Sequence, residues 1–155
     1  MNNDLSRKLA RKTQMDRYLA QVSEISGRLV EQDELDSIEE TDAIRSEFKK
    51  FIDQPKAAFE IKPNDLRSGR FIHFLESLEQ ANPKPVFIWI ERTNVCGAFK
   101  LPSVSKIYAG FKPEKVPEGI ISFITEDLEN SLILDFDDDS VEVELQGPDW
   151  IDVRY

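Results

Sequence analysis

Two hydrophobic periodicities divide the chain. From Leu5 to about Glu31 there is no proline and one glycine, and Met15, Tyr18, Val22, Ile25 and Leu29 recur at steps of three and four. That spacing predicts an amphipathic helix of about seven turns. Leu5 and Leu9 extend its stripe toward the N-terminus. A second helix is predicted from near Asp36 to Asp53, with Ile38, Ile44, Phe48 and Phe51 turned inward and Gln32, Asp33 and Glu34 as the turn. Two amphipathic helices so closely joined fold as an antiparallel hairpin or pair with a second copy, and the pattern does not choose.

Pro55 closes this region, and Lys56 to Asn64 reads as a connector with a short strand-like piece at Ala58 to Ile61. A third helix follows, capped by Asn64 or Ser68, burying Phe71, Phe74, Leu75 and Leu78 before Asn82 and Pro83 stop it. The period then shortens. Val86 to Ile90, VFIWI, is apolar on both faces, the mark of a central strand covered on each side. Val95 to Phe99 reads as its returning partner through Thr93 and Asn94. Ser103 to Ala109 is predicted as a short helix capped by Ser103, Gly110 to Pro117 as an exposed basic loop, and Gly119 to Thr125 as another two-faced strand.

Ser131 to Gln146 carries the clearest period of two. Leu132, Leu134 and Phe136 fall on one face, as do Val141, Val143 and Leu145. A four-residue loop, Asp137 to Ser140, sets Phe136 beside Val141 and Leu134 beside Val143. It also sets Asp135 across from Glu142 and Ile133 across from Glu144. Gly147 and Pro148 then turn the chain, and Trp150 to Tyr155 supplies a short last strand or a docking tail. The expected fold class is α+β: an N-terminal helical hairpin (1–54), then a helix and a mainly antiparallel β-sheet meander (56–155), as two units or one continuous domain.

Charge sharpens this picture. The net charge is -10, and residues 117–155 hold twelve acids against Arg154, so this stretch more than accounts for the total. Residues 1–20 are by contrast basic, with five cations against two acids. An anionic surface of this kind repels nucleic acid and attracts basic proteins. Like charges facing across strands cost a few tenths to about 1 kcal/mol, so solubility alone is a weak reason for them.

Candidate chemistry is sparse. Cys96 is the single cysteine, which excludes an internal disulfide and a cysteine-based zinc site and fits a reducing cytoplasm. No run of apolar residues is long enough to span a membrane. The cluster Asp135, Asp137, Asp138 and Asp139 offers oxygens to Mg²⁺ or Ca²⁺, yet DFDDDSVEVELQ lacks the bend glycine of a calcium loop, and no metal or cofactor is expected. His73, the single histidine, has no serine or cysteine motif beside it and reads as structural; Cys96, in TNVCGAF, reads as a buried strand residue. Glu91 and Arg92 end the central strand, either as functional polar groups or as a surface pair. Lys106, Lys112 and Lys115 contact phosphate or, the better reading, offset the acidic hairpin within the fold.

The function expected from these residues is non-enzymatic. An acidic, cytoplasmic inhibitor or immunity-type protein would cover a basic toxin or nuclease with Asp135, Asp137, Asp138, Asp139, Glu142 and Glu144, with Trp150 as an aromatic anchor at the rim. No direct contact with nucleic acid or membrane is expected. The alternatives are an adaptor assembling as a homodimer through its N-terminal helices, and a metal-dependent enzyme using the Asp135 to Asp139 cluster.

Overall fold

The computed structural model describes residues 2–51 and 53–155; Met1 and Ile52, both within the expected helical region, lie outside the described residues. The fold is α+β, with the N-terminal helices first and a six-stranded antiparallel sheet after them. Helix α1 (Asn2–Ser26) ends at Gly27, whose φ of +69° stops helical continuation. The expected stripe is therefore cut short: Leu29 is 75% exposed and Val30 is buried in its place. Leu5 and Leu9 also stay in solvent, at 62% and 56% exposure, because α1 reaches the core through Met15, Tyr18, Val22 and Ile25.

The connection to α2 (Ile38–Glu47) is longer than the expected turn and includes a 3₁₀ turn at Gln32–Glu34. Ser37 caps α2 in a capping box with Glu40, and the chain continues as a 3₁₀ turn, Phe48–Phe51. Helix α3 (Gly69–Ala81) begins on the Ser68 hydroxyl and buries the four expected apolar residues.

The strands are β1 (Lys56–Ile61), β2 (Val86–Trp89), β3 (Phe99–Leu101), β4 (Ile120–Thr125), β5 (Ser131–Phe136) and β6 (Val141–Gln146), in the spatial order β1-β6-β5-β4-β2-β3. The β5–β6 register is the one the alternation demands, with Phe136 on Val141, Leu134 on Val143, Asp135 on Glu142 and Ile133 on Glu144. β1 runs antiparallel to β6 over all six of its residues. The returning partner of β2 begins later than expected. Thr93–Cys96 forms a single helical turn, α4, and Phe99–Leu101 is the paired segment. The Thr93 hydroxyl accepts from the Ile90 N–H at 3.0 Å, which bends the chain out of the sheet there. Around Ser103 the expected helix shrinks to a 3₁₀ turn, Val104–Lys106, without a side-chain cap.

Each sheet face has its own apolar cluster. The larger joins α1 and α3 to Ile61, Ile88, Phe99, Ile121, Phe123, Leu132, Leu134, Val141, Val143 and Leu145. On the opposite face, Phe51 with Ile44 and Phe48 covers Phe87, Trp89 and Ile124, and Phe48 meets Trp89 edge-on at 4.6 Å between ring centroids. The central strand VFIW is thus buried on both sides, as its composition requires.

Helix α4 fastens the N-terminal region to the sheet. The Tyr18 hydroxyl, fully buried, donates to the Gly97 carbonyl at 2.6 Å and lies 3.2 Å from the Thr93 hydroxyl. Asp36 N–H donates to the Ala98 carbonyl, and the Ala98 N–H donates to Thr41 Oγ1, both at 2.9 Å. Gly97 sits between these bonds at φ +112°, ψ 147°, backbone open in practice to glycine alone, and any Cβ there would collide with the Asp36 carbonyl oxygen. Gly97→Ala is accordingly expected to remove at least about 2 kcal/mol of stability, seen as a lower urea midpoint with an unchanged slope; a shift within error would show that this junction carries little weight.

Candidate functional site

The face that carries Phe87 and Ile124 is covered only in part. Past the buried Ser131 and Gln146 it opens to solvent toward the β5–β6 hairpin, and there the register lines up side chains across strands. Glu60 on β1 faces Glu142 on β6, Glu142 faces Asp135 on β5, and Asp135 faces Ile120 on β4. Neighbouring strands lie about 4.8 Å apart, so three carboxylates stand in a row with Glu142 in the middle. A second row runs Ala58, Glu144, Ile133 and Ser122. Glu60, Asp135 and Glu142 are exposed, Glu144 and Ile133 half-buried, and Ile120 is 48% exposed. The result is an open, nearly flat acidic patch with two isoleucines at its inner margin.

The electrostatics of Glu142 report this crowding. A hydrogen bond to the Glu144 carboxyl holds its pKa above the ordinary glutamate value, aided by partial desolvation and by repulsion from Glu144, Asp135 and Glu60. Among the described residues no lysine or arginine forms an ion pair with Glu60, Asp135, Asp137, Asp138, Asp139, Glu142 or Glu144. The ion pairs lie elsewhere, as in Lys84–Asp127, Lys100–Glu126 and Arg92–Glu118. Lys106, Lys112 and Lys115 therefore do not offset the hairpin through ion pairs. Lys112 instead donates its backbone N–H to Glu24, and the Lys115 carbonyl accepts from Gln21, fixing the loop against α1.

The expected site residues divide. Asp135, Glu142 and Glu144 share the open face. Asp137, Asp138 and Asp139 are exposed at the hairpin tip, where the Asp137 N–H donates to the Ser140 carbonyl. Asp137 and Asp138 also edge a cleft of about 460 Å³ whose wall includes Leu66, Phe111, Val116 and Phe136. Trp150 is not at any rim. It is fully buried, its indole N–H donates to the Leu78 carbonyl at 3.0 Å, and its backbone N–H donates to Asn130 Oδ1. Gly147, at φ +106°, turns the chain so that Trp150 drops behind the sheet onto α3. The tail after it adds no strand; Tyr155 stacks on Phe59 at 5.1 Å. Glu60 was missing from the expected site, although the alternation of Lys56, Ala58 and Glu60 with Ala57, Phe59 and Ile61 signals a full strand with Glu60 on its polar face.

The other candidates take up positions away from the acidic face. His73 is not a core residue: its side chain is 81% exposed and lies 3.9 Å from Glu76. Cys96 is buried in α4 rather than in a strand, and burial pushes its thiol pKa up, away from a reactive thiolate. Arg92 pairs with Glu118 and Gln21 while Glu91 stays exposed, so the two do not pair with each other. Among the described residues no three His, Cys, Asp or Glu side chains are placed to hold a metal ion. No helix is long and apolar enough to cross a membrane. Comparison with protein families, curated proteins and solved structures finds no match.

A raised carboxyl pKa carries a definite sign. The folded state holds the Glu142 proton more tightly than the unfolded chain, so the stabilisation from this group is full below the ordinary glutamate value of 4.5 and is lost as pH rises through the raised value. Glu142→Gln is expected to melt no lower than the parent at pH 7, and to lose the part of the acid-side stability profile due to this group. A clear destabilisation at pH 7 would mean that the glutamate makes favourable contacts.

Proposed function

We propose that this chain is a non-enzymatic binding protein, an inhibitor of the immunity type, that neutralises a basic toxin or nuclease by covering its cationic surface with carboxylates. One observation supports this reading above the rest. Among the described residues no cation pairs with the row Glu60, Glu142 and Asp135 or with Glu144 beside it, although the chain has 20 lysines and arginines. Evolution toward stability alone would intersperse the signs. A concentrated anionic face speeds encounter with a basic partner, and its carboxylates then form charge-assisted hydrogen bonds with arginine and lysine.

The partner is a basic protein rather than nucleic acid, whose phosphates the patch would repel. The margin formed by Ile120 and Ile133 supplies apolar area where Trp150 does not. The reducing cytoplasm is the proposed place of action, in keeping with the lone, buried thiol of Cys96. Assembly through the N-terminal helices has less to draw on, since α1 spends Met15, Tyr18, Val22 and Ile25 on its own core.

The test compares the parent with Asp135→Asn, Glu142→Gln and Glu144→Gln combined, both immobilised and exposed to lysate of the cells that make the protein. Folding is checked by circular dichroism. The expected outcome is a basic protein held by the parent, released by high salt, and lost from the variant. A charge-assisted hydrogen bond contributes about 1.5 kcal/mol or more, so three lost bonds weaken binding by roughly a thousandfold or more. Capture of the same protein by parent and variant alike, or release independent of salt, would count against the reading.

A further inference from the structure

We propose that the protein forms a two-fold dimer in which β1 pairs antiparallel with β1 of a second copy, continuing the six-stranded sheet across the seam. β1 is one edge of the sheet, and all six of its residues pair with β6 on the inner side. The geometry of an antiparallel ladder turns every second N–H and C=O of β1 away from β6. Among the described residues no other backbone or side-chain group takes these outward groups. The opposite edge, β3, spans three residues only, Phe99–Leu101, and offers far less to pair with.

The sequence of β1 specifies the partner. In a two-fold antiparallel pair, facing residues share a sheet face, so Lys56, Ala58 and Glu60 must meet one another. Centring the axis on Ala58 sets Lys56 across from Glu60 of the second copy, twice by symmetry, and Ala58 across from Ala58. The same register sets Phe59 across from Ala57, large against small, beside a groove of about 480 Å³ whose walls include Val153 and Tyr155. No other two-fold register pairs the opposite charges. A lysine on an edge strand normally guards against pairing, but here Glu60 gives that lysine a partner in a second copy. Among the described residues neither Lys56 nor Glu60 has an ion-pair partner within its own chain. The axis stands perpendicular to the sheet, so the acidic patches of both copies face the same way.

Glu60 belongs to both this seam and the proposed anionic row, whereas Lys56 belongs to the seam alone; the charge swaps are therefore read by assembly, which a failure of anionic binding would leave unchanged. Sedimentation equilibrium is run on the parent, Lys56→Glu, Glu60→Lys and the double swap, with thermal melts to confirm that each folds. The parent is expected at twice the chain mass of 17.9 kDa. Each single swap places like charges across the seam twice and is expected to weaken the dimer at least tenfold, while the double swap restores it. Backbone amides of residues 56–61 should also gain exchange protection as parent concentration rises. A parent that stays monomeric at high micromolar concentration, a dimer indifferent to the single swaps, or a double swap that fails to recover would each overturn the proposal.

Discussion

The pairing of β5 with β6 constrains everything that surrounds it. A strand has a side-chain period of two, so once Phe136 faces Val141 and Leu134 faces Val143, the carboxylates between them are committed to the other face. A slip by one residue would push Asp135, Glu142 and Glu144 into the apolar cluster that holds α1 and α3, where unpaired charges are costly. That cost fixes the register far more firmly than hairpin hydrogen bonds do. β1 and β4 then inherit their orientation from β6 and β5, which is why Glu60 arrives beside Glu142 from a segment about eighty residues earlier in the chain.

The remaining elements determine how much of the second face is left open. Ile44 on α2 and Phe48 and Phe51 after it reach over Phe87, Trp89 and Ile124, and the cover continues along that row only as far as the buried Ser131 on β5 and Gln146 on β6. Buried polar bonds anchor that cover in addition to its apolar contacts. Thr41 receives the Ala98 N–H, and Gln146 donates its side-chain amide to the Phe51 carbonyl at 2.7 Å, so the cover is tied at both ends. A fixed cover of limited extent leaves the hairpin end of β1, β6 and β5 on this face in water, and the side chains there are free to be chosen for charge.

Much of this was readable in the chain. The α3 stripe, the two-faced VFIWI strand and the hairpin register are local patterns, each set by residues within a few positions of one another. The parts that were not readable depend on distant partners. Lys56 to Asn64 looks like a connector with only a short strand-like piece until β6 pairs with all of Lys56–Ile61; Val95 and Cys96 look like strand until the Thr93 hydroxyl and Tyr18 draw Thr93–Cys96 into a helical turn. Trp150 shows the same limit. An exposed anchor and a core tryptophan read identically in sequence, and here an acceptor from α3, the Leu78 carbonyl, decides between them.

Acidity alone does not mark a binding face, and the C-terminal segment shows how the two kinds of acid differ. Asp127 is pulled upward by burial, but hydrogen bonds from Thr125, the Glu129 N–H, Asn82 and Lys84 outweigh this and hold its pKa below the ordinary value. Asp149 accepts from Asn82 and Asn130 side chains at 3.0 Å, helping to position the turn that carries Trp150. Asp127 stabilises the fold as an anion, and its contribution disappears as pH falls through its lowered value. Glu142 is displaced the other way, by its carboxylate neighbours. An acid that is satisfied by donors has its reason within the molecule. An acid crowded by others and given no donor is disfavoured in the isolated chain, and a cationic surface brought against it from outside would reverse the sign of that effect.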